Sequence, residues 1–213
     1  MQHVVVKKSV IKGIVLDLGK VVVDFDHMIS ARKISRHSHL SADEIYRLFF
    51  DSPATGLFEE GKMSPREFFS GVKETLRLSI GYDEFVPIWN EIFFLSDKNK
   101  EVYRLAHSLK ERYVMAMLTN VNVLHLDYIR KNFSVFDAFH HSIASCEVGA
   151  RKPSAFIYQK TLDSLGMPAE CVFYTDDRPE FIESARALGL NSFVFKDTQQ
   201  LRADLLSKGV TVA

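Results

Sequence analysis

The chain has 213 residues, and its 27 Lys and Arg are matched by 27 Asp and Glu. That length suits one ordinary domain or a domain with a modest insertion. The zero formal net charge argues against a polyanion-binding surface, which usually shows a basic excess or stripe.

With hydrophobic residues at 46% and charged residues at 25%, the composition is that of a globular protein rather than a disordered one. Cys146 and Cys171 make neither a metal-spaced pair nor a disulfide framework, so reduced thiols are expected. Lys7, Lys8, Lys12 and Asp17 interrupt the N-terminal apolar stretch, which argues against a secretory signal. No apolar run approaches the ~20 residues of a membrane helix. The expectation is a cytoplasmic protein with neither nucleic-acid nor membrane partners.

In chain order, residues 10–17 (VIKGIVLD) read as the first strand. Residues 27–38, 41–51, 64–78 and 82–94 then read as helices, with 98–111 as a crossover helix. Ser41 with Glu44, and Ser64 with Glu67, have the capping-box spacing that starts a helix. Four further strands are predicted at 113–119 (YVMAMLT), 140–144 (HHSIA), 171–176 (CVFYTD) and 192–195 (SFVF). Most are continuous apolar runs, as strands buried on both faces should be. Helices are expected at 121–132, 154–165 and 179–188, with Gly166 and Gly189 where C-caps belong.

Alternating βα units predict an α/β fold, a Rossmann-like parallel sheet with helices on both faces. The span between the first two strands holds too many helices for one crossover. It reads as an inserted all-helical domain, residues 26–95, between core segments 1–25 and 96–213. The pairs Phe49–Phe50, Phe68–Phe69 and Phe93–Phe94 are expected to pack inside that insertion.

In open α/β sheets, ligands bind outside the carboxyl ends of the strands. Three predicted strands end in Asp17, Thr119 and Asp176, and Lys152 lies in the loop that leads into a later helix. Each has a plain alternative reading. Asp17 before Gly19 suits a turn, Thr119 and Asn120 suit a helix cap, and Asp177 with Glu180 resembles an N-cap with its N3 partner. Capping leaves Asp176 unexplained. Together the set makes a hard oxygen site suited to Mg²⁺, beside phosphate-holding Thr, Lys and backbone N–H groups. An aspartate aimed at that phosphate can be a nucleophile.

The segments IVLDLGKVVVDFD (14–26), LTN (118–120), RKP (151–153) and YTDDRPEFIESARALG (174–189), in this order, resemble the haloacid dehalogenase-like (HAD) hydrolase superfamily over nearly the whole chain. DLG together with DD is most similar to a branch that includes bacterial glucose-1-phosphate phosphatases. The helical insertion resembles that family's cap of the first type.

The resemblance implies a Mg²⁺-dependent phosphatase acting on a small phosphorylated metabolite such as a sugar phosphate. It makes Asp17 the nucleophile and a metal ligand, with the Gly19 carbonyl and Asp177 as further ligands and Asp176 direct or one shell out. Thr119, the Asn120 N–H and Lys152 would bind the phosphoryl group. A cap turn at 58–64 (FEEGKMS) makes Glu60, Gly61 and Lys62 specificity candidates.

One departure stands out. Most phosphatases of the family carry a second Asp two residues after the nucleophile, as general acid and base. Here that position is Gly19, and Asp24 or Asp26 are the weak candidates to replace it. Metal-independent 2-haloacid dehalogenases of the family also lack that Asp, so displacement of halide from carbon is the alternative activity. They do not generally keep the Asp176–Asp177 pair. A third possibility is a binding or regulatory protein with little turnover. Cys146 has no His placed to activate it, and the eight histidines form no HExxH pattern. The oligomeric state is not legible in the sequence.

Overall fold

The computed structural model describes residues 10–50 and 52–212. Lys7, Lys8 and the last residue of the helix expected over 41–51 lie outside the described residues. Five strands form one parallel sheet: β1 (Gly13–Leu16), β4 (Val114–Thr119), β5 (His141–Ala144), β6 (Val172–Asp176) and β7 (Asn191–Val194). Their order across the sheet is β5-β4-β1-β6-β7, so the chain builds outward from β1 on one side and then returns to build on the other. The switch point lies between β1 and β6. Leu16 is registered against Thr175 there, which brings the next residues of both strands, Asp17 and Asp176, to the same edge.

Side chains of a strand alternate between faces, and β1 serves both. Ile14 and Leu16 join an apolar cluster with Val102, Leu105 and Leu205, from α6 (Asp97–Leu109) and α11 (Thr198–Ser207). Val15 joins another with Ile157, Tyr158 and Ile182, from α9 (Ala155–Leu165) and α10 (Pro179–Ala187). The remaining core helices are α7 (Val123–Asn132) and the single turn α8 (Ser145–Val148). This is the Rossmann-like arrangement expected, a parallel sheet covered on both faces.

The insertion is all-helical: α1 (His27–Ile34), α2 (Ala42–Phe49), α3 (Pro53–Glu59), α4 (Pro65–Leu76) and α5 (Tyr82–Asn90). Both capping boxes form, Ser41 with Glu44 and Ser64 with Glu67. Ile34, Ile45, Phe58, Phe68, Phe85 and Trp89 build a core of its own. Two differences from expectation stand out here. Helix α3 was not anticipated, although Ser52 caps it and Pro53 occupies its first turn. The helix expected over 82–94 stops at Asn90, and Phe93–Phe94 instead form β3, antiparallel to β2 (Asp24–Phe25). This two-stranded ribbon is where the chain enters and leaves the cap.

The cap rests on the core at discrete points. The His125 ring of α7 meets the Trp89 carbonyl at 3.1 Å, and the Ser145 hydroxyl donates to the Glu59 carbonyl at 2.6 Å. Gly61 has φ +65°, and a Cβ there would sit 2.3 Å from the Cys146 carbonyl oxygen. Only glycine combines that conformation with so close an approach.

Gly61→Ala should therefore destabilise the protein by about 1–3 kcal/mol, several degrees of melting temperature for a chain of this size. Gly149 also has positive φ, at +80°, but open space around its Cβ position, so Gly149→Ala should lose clearly less. Equal losses in thermal melts would show that contact with the core loop contributes nothing.

Candidate active site

The chemistry gathers around one buried ammonium. Lys152 is 2% exposed, and its Nζ donates to Asp17 Oδ1 at 2.7 Å, Asp176 Oδ2 at 2.6 Å and the Leu118 carbonyl at 3.2 Å. A lysine ammonium has three N–H donors, and all three are committed. Lys152 also lies over the Phe181 ring, 5.1 Å from its centroid.

Its backbone is clamped by the Asn120 side chain, whose Oδ1 accepts from the Lys152 N–H at 2.8 Å and whose Nδ2 donates to the Lys152 carbonyl at 2.9 Å. Asn120 is therefore not the cap of α7. That role belongs to Asn122, whose side chain accepts from the His125 N–H. Asp177 does not cap α10 either: the N-cap is Arg178, whose side chain makes no capping bond and pairs with Glu180 instead.

Asp176 is fully buried and accepts three hydrogen bonds. Oδ2 accepts from Lys152 and the Tyr174 hydroxyl, while Oδ1 accepts from the Arg178 N–H at 3.0 Å. Asp177, by contrast, lines the cavity described below. One oxygen from each of Asp17, Asp176 and Asp177 lies within 4.8 Å of the others. Burial, then the neighbouring Asp176, pushes the Asp17 carboxyl far above its usual range, to about 8, against the pull of Lys152. Asp177 is raised for the same two reasons. Burial acts to lower the Lys152 ammonium, but Asp17 and Asp176 outweigh it and hold its proton more firmly. Three carboxylates around one ammonium are short of positive charge. An all-oxygen donor set with that deficit suits a hard divalent cation.

A cavity of about 240 Å³ opens in front of this cluster. Asp17, Gly19, Thr119, Asn120, Lys152 and Asp177, all anticipated, line it; so do Lys20, Phe25, His27, Phe50 and Glu59, which were not. A smaller recess of about 70 Å³, walled by Leu18, Val23, Phe93, Val121 and Ile129, shares Gly19, Phe25, His27 and Glu59 with it. Sequence reasoning missed His27 because a lone histidine after a cap aspartate carries no pattern. Phe50 and Phe93, assigned to packing, pack and also form walls.

The cap turn differs from expectation. Glu60, Gly61 and Lys62 are absent from the cavity walls. Glu60 pairs with Lys62 at 2.7 Å and approaches Arg151 at 3.9 Å, and Gly61 abuts the core loop. The turn holds cap to core, and Glu59, paired with Arg151 at 3.3 Å, is the residue that reaches the cavity.

The position two residues after Asp17 has a steric explanation. A Cβ on Gly19 would lie 2.8 Å from the Phe25 ring, so that ring and a side chain at 19 compete for one space. Asp24 accepts from Ser96 at 2.8 Å and Lys98 at 3.2 Å, and Asp26 caps α1 through the Met28 N–H at 2.9 Å. Both candidate replacements thus have structural partners, and neither lines the cavity. The Cys146 thiol is pushed up to about 11, chiefly by burial, which keeps it protonated and poorly nucleophilic.

A family model described as haloacid dehalogenase-like hydrolase matches residues 11–189. The chain belongs to that family. D-ribitol-5-phosphate phosphatase of Bacteroides thetaiotaomicron is 26% identical over 205 residues, covering 92% of this chain and 97% of that protein. Flavin mononucleotide hydrolase 1 of Arabidopsis thaliana is 33% identical over 73 residues; the match covers 34% of this chain and only 29% of that protein's length. A crystal structure of a HAD family enzyme from B. thetaiotaomicron, in complex with magnesium and inorganic phosphate, aligns with a TM-score of 0.77 at 24% identity, covering 88% of this chain and 96% of that one. At that identity the structural likeness speaks for the fold. Among the described residues, no helix is long and apolar enough to cross a membrane.

The raised Asp17 carboxyl sets a pH dependence for this HAD-like hydrolase. A carboxyl whose pKa is higher folded than unfolded favours the fold while protonated, and that advantage is lost as pH climbs from the ordinary carboxylate range towards about 8. Asn at 17 does not titrate. In EDTA, the melting temperature of the wild type relative to Asp17→Asn should therefore fall between pH 5 and pH 8. A difference that stays constant, or grows, would contradict the crowded, cation-poor site.

Proposed function

We propose that this HAD-like hydrolase is a Mg²⁺-dependent phosphatase of small phosphorylated metabolites, sugar or polyol phosphates among them, with Asp17 as nucleophile. The observation that carries the reading is the Asp17–Lys152–Asp176 ion cluster with Asp177 beside it, at the cavity between strand ends and insertion. The cap that covers the cavity is taken as residues 26–95, and the core as 1–25 and 96–213.

In this reading Lys152 fixes Asp17 Oδ1, leaving the second carboxylate oxygen to attack phosphorus. The new Asp17–phosphorus bond forms as the bond to the leaving oxygen breaks, and that oxygen takes a proton from solvent water, which regains one when the attacking water releases its own proton in the second step. Water then attacks phosphorus, the aspartyl-phosphate bond breaks, and Asp17 is restored as inorganic phosphate departs. Thr119 and the Asn120 N–H would hold phosphoryl oxygens.

Lys152 contributes charge, and it can touch the phosphoryl group only by exchanging one of its present partners, of which the Leu118 carbonyl is the longest at 3.2 Å. Asp17, the Gly19 carbonyl and Asp177 would hold Mg²⁺, with Asp176 aligning Lys152 and standing as a direct ligand or one shell out. The ion, when bound, neutralises carboxylate and phosphate charge. Closure of the cap over the site would limit water and substrate size. A cytoplasmic site of action accords with the two unpaired cysteines.

A screen of small phosphate esters should show phosphate release that needs Mg²⁺, stops in EDTA and falls at least ~10³-fold in Asp17→Asn, the scale expected for loss of a nucleophile. Halide release from a 2-haloacid, insensitive to EDTA, would instead select the dehalogenase chemistry. Folded protein with neither activity would select a binding role.

Gly19 supports a second test. Restoring the missing acid is expected to recover part of the ~10²–10⁴-fold that general acid catalysis supplies, but Phe25 occupies its space. Gly19→Asp alone should fail to accelerate alkyl esters, and Gly19→Asp with Phe25→Ala should outpace Phe25→Ala alone. If the single variant already gains, the ring is no obstacle.

A further inference from the structure

One buried side-chain nitrogen at the cavity wall has no hydrogen-bond partner among the described residues. His27, the first residue of α1, lines both the main cavity and the recess behind it. Its ring is wedged between Phe25, centroids 4.8 Å apart, and Phe50, at 4.4 Å and nearly parallel. Its Nδ1 is buried with no hydrogen-bond partner among the described residues.

His125 shows what a satisfied histidine looks like a few ångströms away, its ring centroid 6.5 Å from that of His27. There Nδ1 meets the Asn122 amide at 3.0 Å and Nε2 meets the Trp89 carbonyl at 3.1 Å. The amide can only donate and the carbonyl can only accept, so His125 carries its proton on Nε2 and both nitrogens are used.

His27 makes no such bonds, yet the ring stack holds it as firmly. Unpaired buried polar groups are unfavourable and in native proteins call for an explanation. No occupant of the cavity can reach the sealed Nδ1, which the flanking rings cover; what an occupant can meet is the other ring nitrogen, for which no partner stands among the described residues. With Nδ1 sealed from solvent, Nε2 is the nitrogen the ring can offer. Burial, then Lys20, pushes the imidazole down to about 4, so at neutral pH it is an uncharged donor or acceptor. Such a group suits a hydroxyl, not a second anion. The size limit agrees: about 240 Å³ is below the usual range of drug-sized pockets.

We propose that His27 is a specificity residue whose Nε2 hydrogen-bonds a hydroxyl of the substrate's leaving group, which makes hydroxylated alkyl phosphates, of polyol or sugar type, the preferred substrate class. The inference rests on the phosphatase reading above. Phe25 and Phe50 keep the ring in register, and the carbon skeleton of the leaving group lies against them and the apolar recess. Alkyl phosphates without hydroxyls would fill the same space while leaving Nε2 unpaired.

The test compares D-ribitol 5-phosphate with n-pentyl phosphate, which share chain length and differ in hydroxyls, with p-nitrophenyl phosphate as a general probe of wild-type turnover. Wild type should favour the polyol ester in kcat/KM. His27→Phe, which keeps a stacked ring without its nitrogens, should shrink that preference by about 10–100-fold, the scale of a missing polar partner. His27→Gln, whose amide nitrogen reaches close to the position of Nε2, should recover much of it. Equal losses on both esters, or an unchanged preference in a variant that melts like the wild type, would overturn the assignment. So would wild type preferring the pentyl ester. Absence of phosphate release from all three esters by folded, Mg²⁺-supplied wild type would instead sink the phosphatase reading itself, and the role of His27 with it.

Discussion

An ammonium buried between two aspartates organises this molecule. Removing such charges from water costs several kcal/mol per ion, and only close pairing with full hydrogen bonding offsets it. Lys152 meets both conditions, and each of its supports comes from a different part of the chain. Asp17 follows β1, Asp176 ends β6, the Leu118 carbonyl belongs to β4, and Asn120 grips the lysine's backbone. The sheet order, with β1 between β4 and β6, is what lets three strand ends meet one side chain. Truncating Lys152 would strand two buried carboxylates, so the group that serves the chemistry is also part of what ties the core together.

The same cluster fixes the electrostatic character of the cavity. Asp17, Asp176 and Asp177 carry three formal negative charges against one positive on Lys152. Left so, the site repels a phosphate monoester and raises its own carboxyls, as Asp17 and Asp177 show. The balanced count of the whole chain, 27 against 27, says nothing about this local deficit. A divalent cation removes it and makes room for an anionic substrate, which is why the phosphatase reading and a metal requirement stand together.

Much of this was legible because burial leaves a strong trace in sequence. The parallel strands are buried on both faces, so they appear as unbroken apolar runs, and a polar residue at the end of such a run is conspicuous. Asp17, Thr119 and Asp176 were found that way. What escaped notice lacks a trace of that kind. The β2–β3 ribbon has two residues per strand, too few for any period to show, and its Phe93–Phe94 was absorbed into the helical pattern before it. Helix α3 spans seven residues, too few to show a helical period, although Ser52 and Pro53 mark its start; only its last two residues fall in the turn expected over 58–64. Asn120 was read as a helix cap or a backbone donor, whereas its side chain bridges to a loop 32 residues away. His27 depends on neighbours from the hinge and from α2, which no local pattern reveals.

The hinge links the missing acid to the choice of substrate. Phe25 sits in β2 and is paired with Phe93 of β3, so its position is set where the cap joins the core. From there its ring fills the space that a side chain at residue 19 would need, and its other neighbour is His27. A single aromatic residue thus stands where the usual acid would be and also packs against the imidazole proposed to meet the leaving group. Loss of the acid disfavours esters with poor leaving groups, unless other contacts compensate. Hydroxyl recognition by a preorganised, neutral ring is one such contact, since binding energy from parts of the substrate remote from phosphorus can be used at the reacting centre. Dehalogenation shares the missing acid but gives no purpose to Asp177 at the cavity wall or to the crowded carboxylates behind it. The two features that depart from each other in sequence, the glycine and the acidic pair, are reconciled by a phosphatase that relies on positioning more than on proton transfer.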